Sequence, residues 1–458
     1  MKRILCLALL LAVLLCACGT KEMPLQSFDL TGDGWRLGFG SREIVSENPA
    51  ELYIAGYHNG WKVTEVRDWQ RANAVWADAG GQGILLLSVD CVALSSGTVA
   101  KIRERLADFC AEVGCVRVNV CATHTHAGAD TLGLWGEIAR EGKDADFMET
   151  LTDSCVTAAK EAYADRRAGK LLYSETQTAD MLRDSREPTV TDETLYQYRF
   201  VPADGTAGIR LISYSAHAES LRGANTALSR DYAGVLSDNI PAHTGDRVLF
   251  FQGAIGGLVM TKEFVSPFDA EENLRITGEK LTAYALSASP ETELAPRLTL
   301  TVTGITVPLD NTLFAYYKFL GILDEPSARG DGETELRLYS EMGLLQIGDR
   351  NLLLVPGELF PELLLGGYKT DGANPAAENP TPLRVLAAEY GLDNLAAVGL
   401  CNDELGYIVP PNDWELDGEA PYINHTSGHY EETNSCGIRT AAVIAAGAEK
   451  LFRAVAER

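Results

Sequence analysis

The chain is short of positive charge. Its 458 residues carry 39 Lys and Arg against 64 Asp and Glu, a net charge of -25. Nucleic-acid binding needs clustered basic side chains, so this class of partner is excluded. Anionic lipid heads repel such a body, and the charge reads as solubility. After Leu15 no apolar run reaches membrane-spanning length. Cysteine pairing signals are also missing. Seven cysteines follow Cys18, an odd number with no C-x-x-C pair, which argues against a zinc ribbon. Most sit in apolar runs, so buried thiols are the default, with a disulfide or two left open. The sequence has no internal repeat, no low-complexity block, no G-x-x-x-x-G-K-[ST] loop and no G-x-S-x-G elbow. Nucleotide hydrolysis and the usual serine-hydrolase architecture lose their support. Histidine is scarce as well, with only seven residues.

What is present begins with a targeting segment. Lys2 and Arg3 precede an apolar stretch, Ile4 to Leu15, too short to span a membrane comfortably. Leu15-Cys16-Ala17-Cys18-Gly19 reads as a bacterial lipobox, cut before Cys18, whose thiol carries the lipid. The expected organisation is a signal peptide over residues 1–17, a polar tether over 18–34 and one folded unit over 35–458. The protein is then expected on the extracytoplasmic face of the cell membrane, touching it only through the lipid on Cys18.

Apolar runs and periodicity predict an α/β class with mixed sheets flanked by helices. Strands are expected at Gly83–Val92, Val116–Ala122, Gly208–Ala216, Arg247–Phe251, Asn351–Pro356 and Asn394–Leu400. An alternating antiparallel strand is expected at Arg297–Val307, and short strands and turns over Leu37–Tyr57. Helices are expected at Ser96–Val113, Ala145–Ala164, Asp269–Ser287 and Gly437–Ala454. Five of the strands end in polar or glycine-rich turns: His124/His126, His217, Gly253–Gly257, Glu358 and Asn402–Tyr407. Sites in open α/β sheets gather beyond the carboxyl ends of strands, so these turns are expected to converge on one cleft.

Two of the seven histidines, His124 and His126, stand one residue apart at the end of a strand. Alternation puts positions i and i+2 on one face. Both imidazoles can then hold a metal, or one can hold it while the other handles protons. His124, His217 and Glu358 would supply two imidazoles and a carboxylate. A zinc ion so held lowers the pKa of bound water to about 7 and polarises a carbonyl, which suits hydrolysis of an amide or ester.

These segments resemble the catalytic domain of the neutral/alkaline, non-lysosomal ceramidases. Ala122-Thr123-His124-Thr125-His126-Ala127-Gly128 is similar to the ATHTHSG segment of that family. Ala216-His217 with Ser229-Arg230-Asp231 resembles its second histidine region, and Val355-Pro356-Gly357-Glu358 its PGE segment. Asn402-Asp403-Glu404-Leu405-Gly406-Tyr407-Ile408 resembles the stretch ending in a metal-binding tyrosine, and Tyr430-Glu431 a later pair. The match runs in order from about Leu37 to the C-terminus. The resemblance implies one zinc ion per chain held by His124, His217, Glu358 and Tyr407. It implies His126 as proton shuttle, Arg186 as substrate-side arginine (with Arg183 as competitor) and Tyr430 as a hydrogen-bonding group in the cleft. The expected substrate is a small-molecule or lipid amide.

The departures from the family matter. Its Gly-Asp-Val-Ser turn supplies an active-site serine. Here the turn is Gly253-Ala254-Ile255-Gly256-Gly257, with no hydroxyl and no carboxylate. The glycines could offer backbone N–H groups to an oxyanion, or simply permit tight packing. The immunoglobulin-like domain of the family has no counterpart in the sequence, and ceramide itself is not implied. A metallo-β-lactamase pattern needs an aspartate two positions after the His-x-His, where Gly128 stands. The rival of a different class is a surface lipoprotein that binds a ligand or metal without catalysis.

Overall fold

The computed structural model describes residues 23–137, 140–178, 180–262, 269–287, 289–329, 335–415 and 429–458. The lipobox lies outside them.

Apolar alternation builds two stacked sheets. In Gly83–Val89 every residue is buried. Ile84 and Leu86 face one cluster, while Leu85, Leu87 and Val89 face another. Both faces are covered because side chains alternate along a strand. The larger, nine-stranded sheet runs in the order Arg247–Gln252, Ile209–Tyr214, Thr194–Pro202, Arg167–Gln177, Trp35–Glu43, Arg71–Asp78, Gly83–Val89 and Cys115–Ala122, with Thr292–Glu293 added on Arg167–Gln177. Its interior pairs are antiparallel. The pair at each end of this order, Gly83–Val89 with Cys115–Ala122 and Ile209–Tyr214 with Arg247–Gln252, is parallel.

The smaller sheet orders Gln26–Asp29, Leu298–Pro308, Leu336–Ile347, Arg350–Leu354 and Leu395–Val398, with Ser327–Arg329 on Leu336–Ile347. Leu298, Leu300, Leu345 and Leu352 from this sheet pack against Leu37, Val75, Leu86 and Leu211 from the larger one. Helices close both outer faces. Ala145–Ala164 and Ser96–Arg105 cover one part of the larger sheet, and Asp231–Thr244 with Ala270–Leu286 another. Thr440–Ala456 covers the smaller. The fold is thus α/β with mixed sheets flanked by helices.

Two expectations change. Gln26–Asp29, inside the expected tether, pairs antiparallel with Asp29 opposite Thr299 and Gln26 opposite Val302. Phe28 packs on the inter-sheet core and Leu30 is buried in it, which draws this stretch into the fold. The helix expected over Ser96–Val113 is two, Ser96–Arg105 and Ala107–Val113, separated at the buried Leu106. The seven described cysteines are free thiols.

The larger sheet curls until its ends meet. The Ser88 hydroxyl donates to the Phe250 carbonyl at 2.5 Å, and the Gln252 amide donates to Thr123 O at 2.8 Å. The smaller sheet joins at the same place: Ala122 N–H donates to Leu400 O at 3.2 Å and Gly399 N–H to Gln252 O at 3.0 Å. All five expected turns leave strands that end at this junction.

Candidate metal centre

His124 is not on the strand. Cys115–Ala122 has ended, and His124 adopts φ 61°. This left-handed conformation is uncommon outside glycine and costs free energy that surrounding contacts must offset. Val92 O, 2.7 Å from His124 Nδ1, is one such contact. Strand alternation is therefore not what brings His124 and His126 together; a left-handed turn does. The Thr125–Ala218 bridge, with His126 N–H donating to Ala218 O at 2.9 Å, then ties this turn to the one carrying His217.

His217 is fully buried, with Nδ1 3.0 Å from Val259 O. A ring nitrogen facing a carbonyl carries the proton, so Nδ1–H donates in both His124 and His217. Their Nε2 lone pairs are left to converge. Glu358 Oε2 lies 3.0 Å from His217 Nε2 and 3.4 Å from His124 Nε2. The Tyr407 hydroxyl lies 3.4 Å from His217 Nε2. Four donors on a tetrahedral zinc at about 2.0–2.1 Å stand about 3.3 Å apart, so this spacing fits the ion. His126 Nε2 lies 3.1 Å from His124 Nε2, and the three histidines together form a group that could hold a metal ion.

His126 differs from the other two in its anchoring. Among the described residues its Nδ1 has no hydrogen-bond partner, and Glu219 Oε2 stands 3.9 Å away. Burial first, then the neighbouring His124 and His217, holds its pKa well below the ordinary value. Burial raises the Glu358 carboxyl, but the facing His124 and His217 outweigh it and bring the pKa far down. The Tyr407 phenol is pushed well up by burial and by Glu358.

The centre opens into a cleft of two lobes. One, of about 310 Å³, is lined by His124, His126, Glu358 and Tyr407 and by Leu132, Leu134, Trp135, Phe314 and Leu338. The other, of about 430 Å³, shares Tyr57, His126, Tyr407 and Tyr430 with it. Tyr430 thus stands at the junction, its ring 6.1 Å from that of Tyr407.

Arg186 does not reach either lobe. Its guanidinium donates to Asp413 Oδ2 at 2.6 Å, Glu431 Oε2 at 3.1 Å and Glu432 Oε2 at 3.3 Å. The expected substrate-side role does not match this placement, because three carboxylates already occupy the charge. Arg186 positions the short helix Tyr430–Thr433, whereas the competitor Arg183 does line the cleft, as Arg222 does.

The Gly253–Gly257 turn is a packing device. Gly253 N–H donates to Tyr214 O, Ala254 N–H to Ser215 Oγ and Gly256 N–H to Leu359 O, so these donors are spent. A Cβ on Gly256 would stand 2.4 Å from the Phe360 ring.

Sequence reading missed Tyr57 and Glu219. The Tyr57 hydroxyl donates to Glu219, and its ring lies 5.2 Å from that of His126. Gly56, at φ 113°, lets the chain pass where a Cβ would meet the His126 side chain at 2.7 Å. The signal for Glu219 was its i+2 spacing from His217.

No family model and no curated sequence matches the chain. Solved structures do. The neutral ceramidase from Pseudomonas aeruginosa superposes with a TM-score of 0.69 at 18% identity, covering 93% of this chain and 75% of that one. A ceramidase complexed with C2 gives 0.69 and 17%, covering 93% and 76%. This chain has the neutral ceramidase fold, carried by a strongly diverged sequence.

Proposed function

We propose that the protein is a zinc-dependent hydrolase of amide (N-acyl) bonds, with one zinc ion per chain. The observation that carries this reading is the convergence of two Nε2 atoms, each fixed through Nδ1, on one oxygen of Glu358 beside the Tyr407 hydroxyl. A shared fold with neutral ceramidases supports the bond type.

Zinc in such a site supplies Lewis acidity, polarising a carbonyl and lowering the pKa of bound water to about 7. His124, His217, Glu358 and Tyr407 would hold it. His126, whose Nδ1 has no hydrogen-bond partner among the described residues, accepts a proton and returns it to the leaving amine. Tyr430 faces the substrate where the lobes meet. Arg186 acts at one remove by holding the Tyr430 helix. No hydroxyl stands in the Gly253–Gly257 turn, so the route uses water as nucleophile rather than a serine there.

The lipobox supports attachment to the extracytoplasmic face through Cys18, and Cys18→Ala is expected to release the protein from the membrane fraction. The function is tested by metal analysis of the purified protein together with hydrolysis of a panel of N-acyl and ester substrates. Stoichiometric zinc and amide turnover, both lost in His124→Ala and His217→Ala, are expected. Zinc without turnover across the panel would favour the binding lipoprotein instead.

A further inference from the structure

In a chain of net charge -25, the wall of the second lobe includes, among the described residues, Arg183, Arg222, Lys262 and Glu219. Arg183 is the informative member. Other part-buried or buried arginines here grip carboxylates: Arg103 holds Glu341, Arg210 holds Asp246 and Arg230 holds Asp68 and Asp238. The Arg183 guanidinium instead reaches the Met260 sulfur at 3.6 Å. Its Nε is buried without a hydrogen-bond partner among the described residues. Thioether sulfur is a weak acceptor, so a guanidinium on the cleft wall with this sulfur beside it and its Nε unpaired retains donors for an anion.

Backbone pairing places this cation close to the chemistry. Arg183 is the register partner of Met260, and Met260 is bridged to His217. Two strand spacings put the Arg183 and His217 backbones about 10 Å apart. The opposite lobe has an apolar wall, Leu132, Leu134, Trp135, Phe314 and Leu338, with Glu325 and Glu404 elsewhere on its lining. A substrate lying through both lobes has its scissile carbonyl at His126 and Tyr407, its acyl chain among the apolar side chains and its amine portion toward Arg183.

We infer that the substrate is an N-acylated amine bearing an acid group near the nitrogen, an N-acyl amino acid in the simplest case, with Arg183 binding the carboxylate. The inference rests on the amide-hydrolase reading above. Hydrolysis adds water across the C–N bond: the new C–O bond gives the fatty acid, and the nitrogen leaves with a proton. The carboxylate on the amine side is unchanged throughout. Glu219, fixed by Tyr57 and next to His126, faces the nitrogen, so the two charges of a released amino acid meet opposite charges.

The test uses the zinc-loaded full chain with N-lauroylglycine and its methyl ester, which differ at the amine side by the carboxylate charge and one methyl group. Amide cleavage gives kcat/KM for each, and calorimetry gives each Kd without need of turnover. The acid is expected to be favoured about tenfold or more in both measures, as a charge-assisted contact allows. Arg183→Gln should bring both ratios toward one, through KM rather than kcat, and Arg183→Lys should restore part of them. A ratio at or below one in the native protein, or a ratio that Arg183→Gln leaves unchanged, overturns the inference. If neither amide is cleaved while other amides of the panel are, the inference fails; if no amide of the panel is cleaved, the hydrolase reading fails, while the binding ratio still decides what Arg183 recognises.

Discussion

Glu358 and Tyr407 are register partners in a two-residue parallel bridge, Glu358–Leu359 against Tyr407–Ile408. Facing pairs on adjacent strands project to the same side, so one backbone contact delivers a carboxylate and a phenol to His217 together. Glu358 Oε2 arrives 3.0 Å from His217 Nε2 and the Tyr407 hydroxyl 3.4 Å from it. The bridge survives loss of the hydroxyl because it is made by backbone groups. Tyr407→Phe should therefore fold normally yet bind zinc at least about tenfold more weakly, in the range seen when groups around a metal are removed. Competition with a chelator measures this. Unchanged affinity would mean that the remaining groups hold the ion without Tyr407.

His126 gives the complementary case. His124 and His217 each have Nδ1 fixed on a carbonyl, whereas among the described residues His126 Nδ1 has no hydrogen-bond partner, with Glu219 at 3.9 Å. A group that moves a proton, rather than holding a cation, tolerates this looser seating. His126→Gln should keep the zinc content and lower kcat by about 10²–10⁴, the usual contribution of a general base. Loss of zinc from this variant would make His126 a ligand.

Much of this was legible in the sequence, for identifiable reasons. Buried parallel strands read as uninterrupted apolar runs, so Gly83–Val89, Ile209–Tyr214 and Arg247–Gln252 stand out, and their terminal turns point to the junction. Helix Ala145–Ala164 is marked by its cap, Asp144, which accepts from Phe147 N–H at 2.8 Å. Trp35–Glu43 was read as short pieces because Gly38 and Gly40 interrupt its apolar pattern. Those glycines face helix Ala145–Ala164, where a Cβ would meet the carbonyls of Ala162 and Ala158 at 2.1 Å. Arg167–Gln177 escaped notice because its exposed face carries polar side chains among the apolar ones. Arg186 misled for another reason. Sequence order cannot tell an arginine facing a cleft from one three residues later whose partners, Asp413, Glu431 and Glu432, lie more than 200 positions away.

Those three partners make Arg186 a test of structure against catalysis. All four side chains are nearly inaccessible to solvent. Removing one member of a buried charge cluster leaves the others unpaired and costs about 3–5 kcal/mol. Arg186→Met should lower Tm markedly, measured by calorimetry, with zinc content retained at temperatures where the variant is folded. An unaltered Tm combined with lost turnover would return Arg186 to the substrate.

Behind the cleft, Glu325 lines the apolar lobe close to Asp403 and Glu404. Burial first, and then the Asp403 charge, pushes its carboxyl up to about 8 from an ordinary 4.5. Its Oε2 has no hydrogen-bond partner among the described residues. The folded state therefore holds this proton more tightly than the unfolded chain does. Its contribution to stability is complete below pH 4.5 and disappears as pH rises through about 8. Over that window the folding free energy should fall by up to about 1.4 kcal/mol per pH unit on account of this one proton. Asp403, pushed up to about 6 by burial, adds to the fall at the lower end. Glutamine has nearly the same shape and no proton to lose, so Glu325→Gln should gain on the native protein steadily as pH rises. Urea unfolding of the two proteins across this range measures the difference. Curves that stay parallel would show that Glu325 is already ionised in the folded protein and that the loss of stability belongs to other carboxyls.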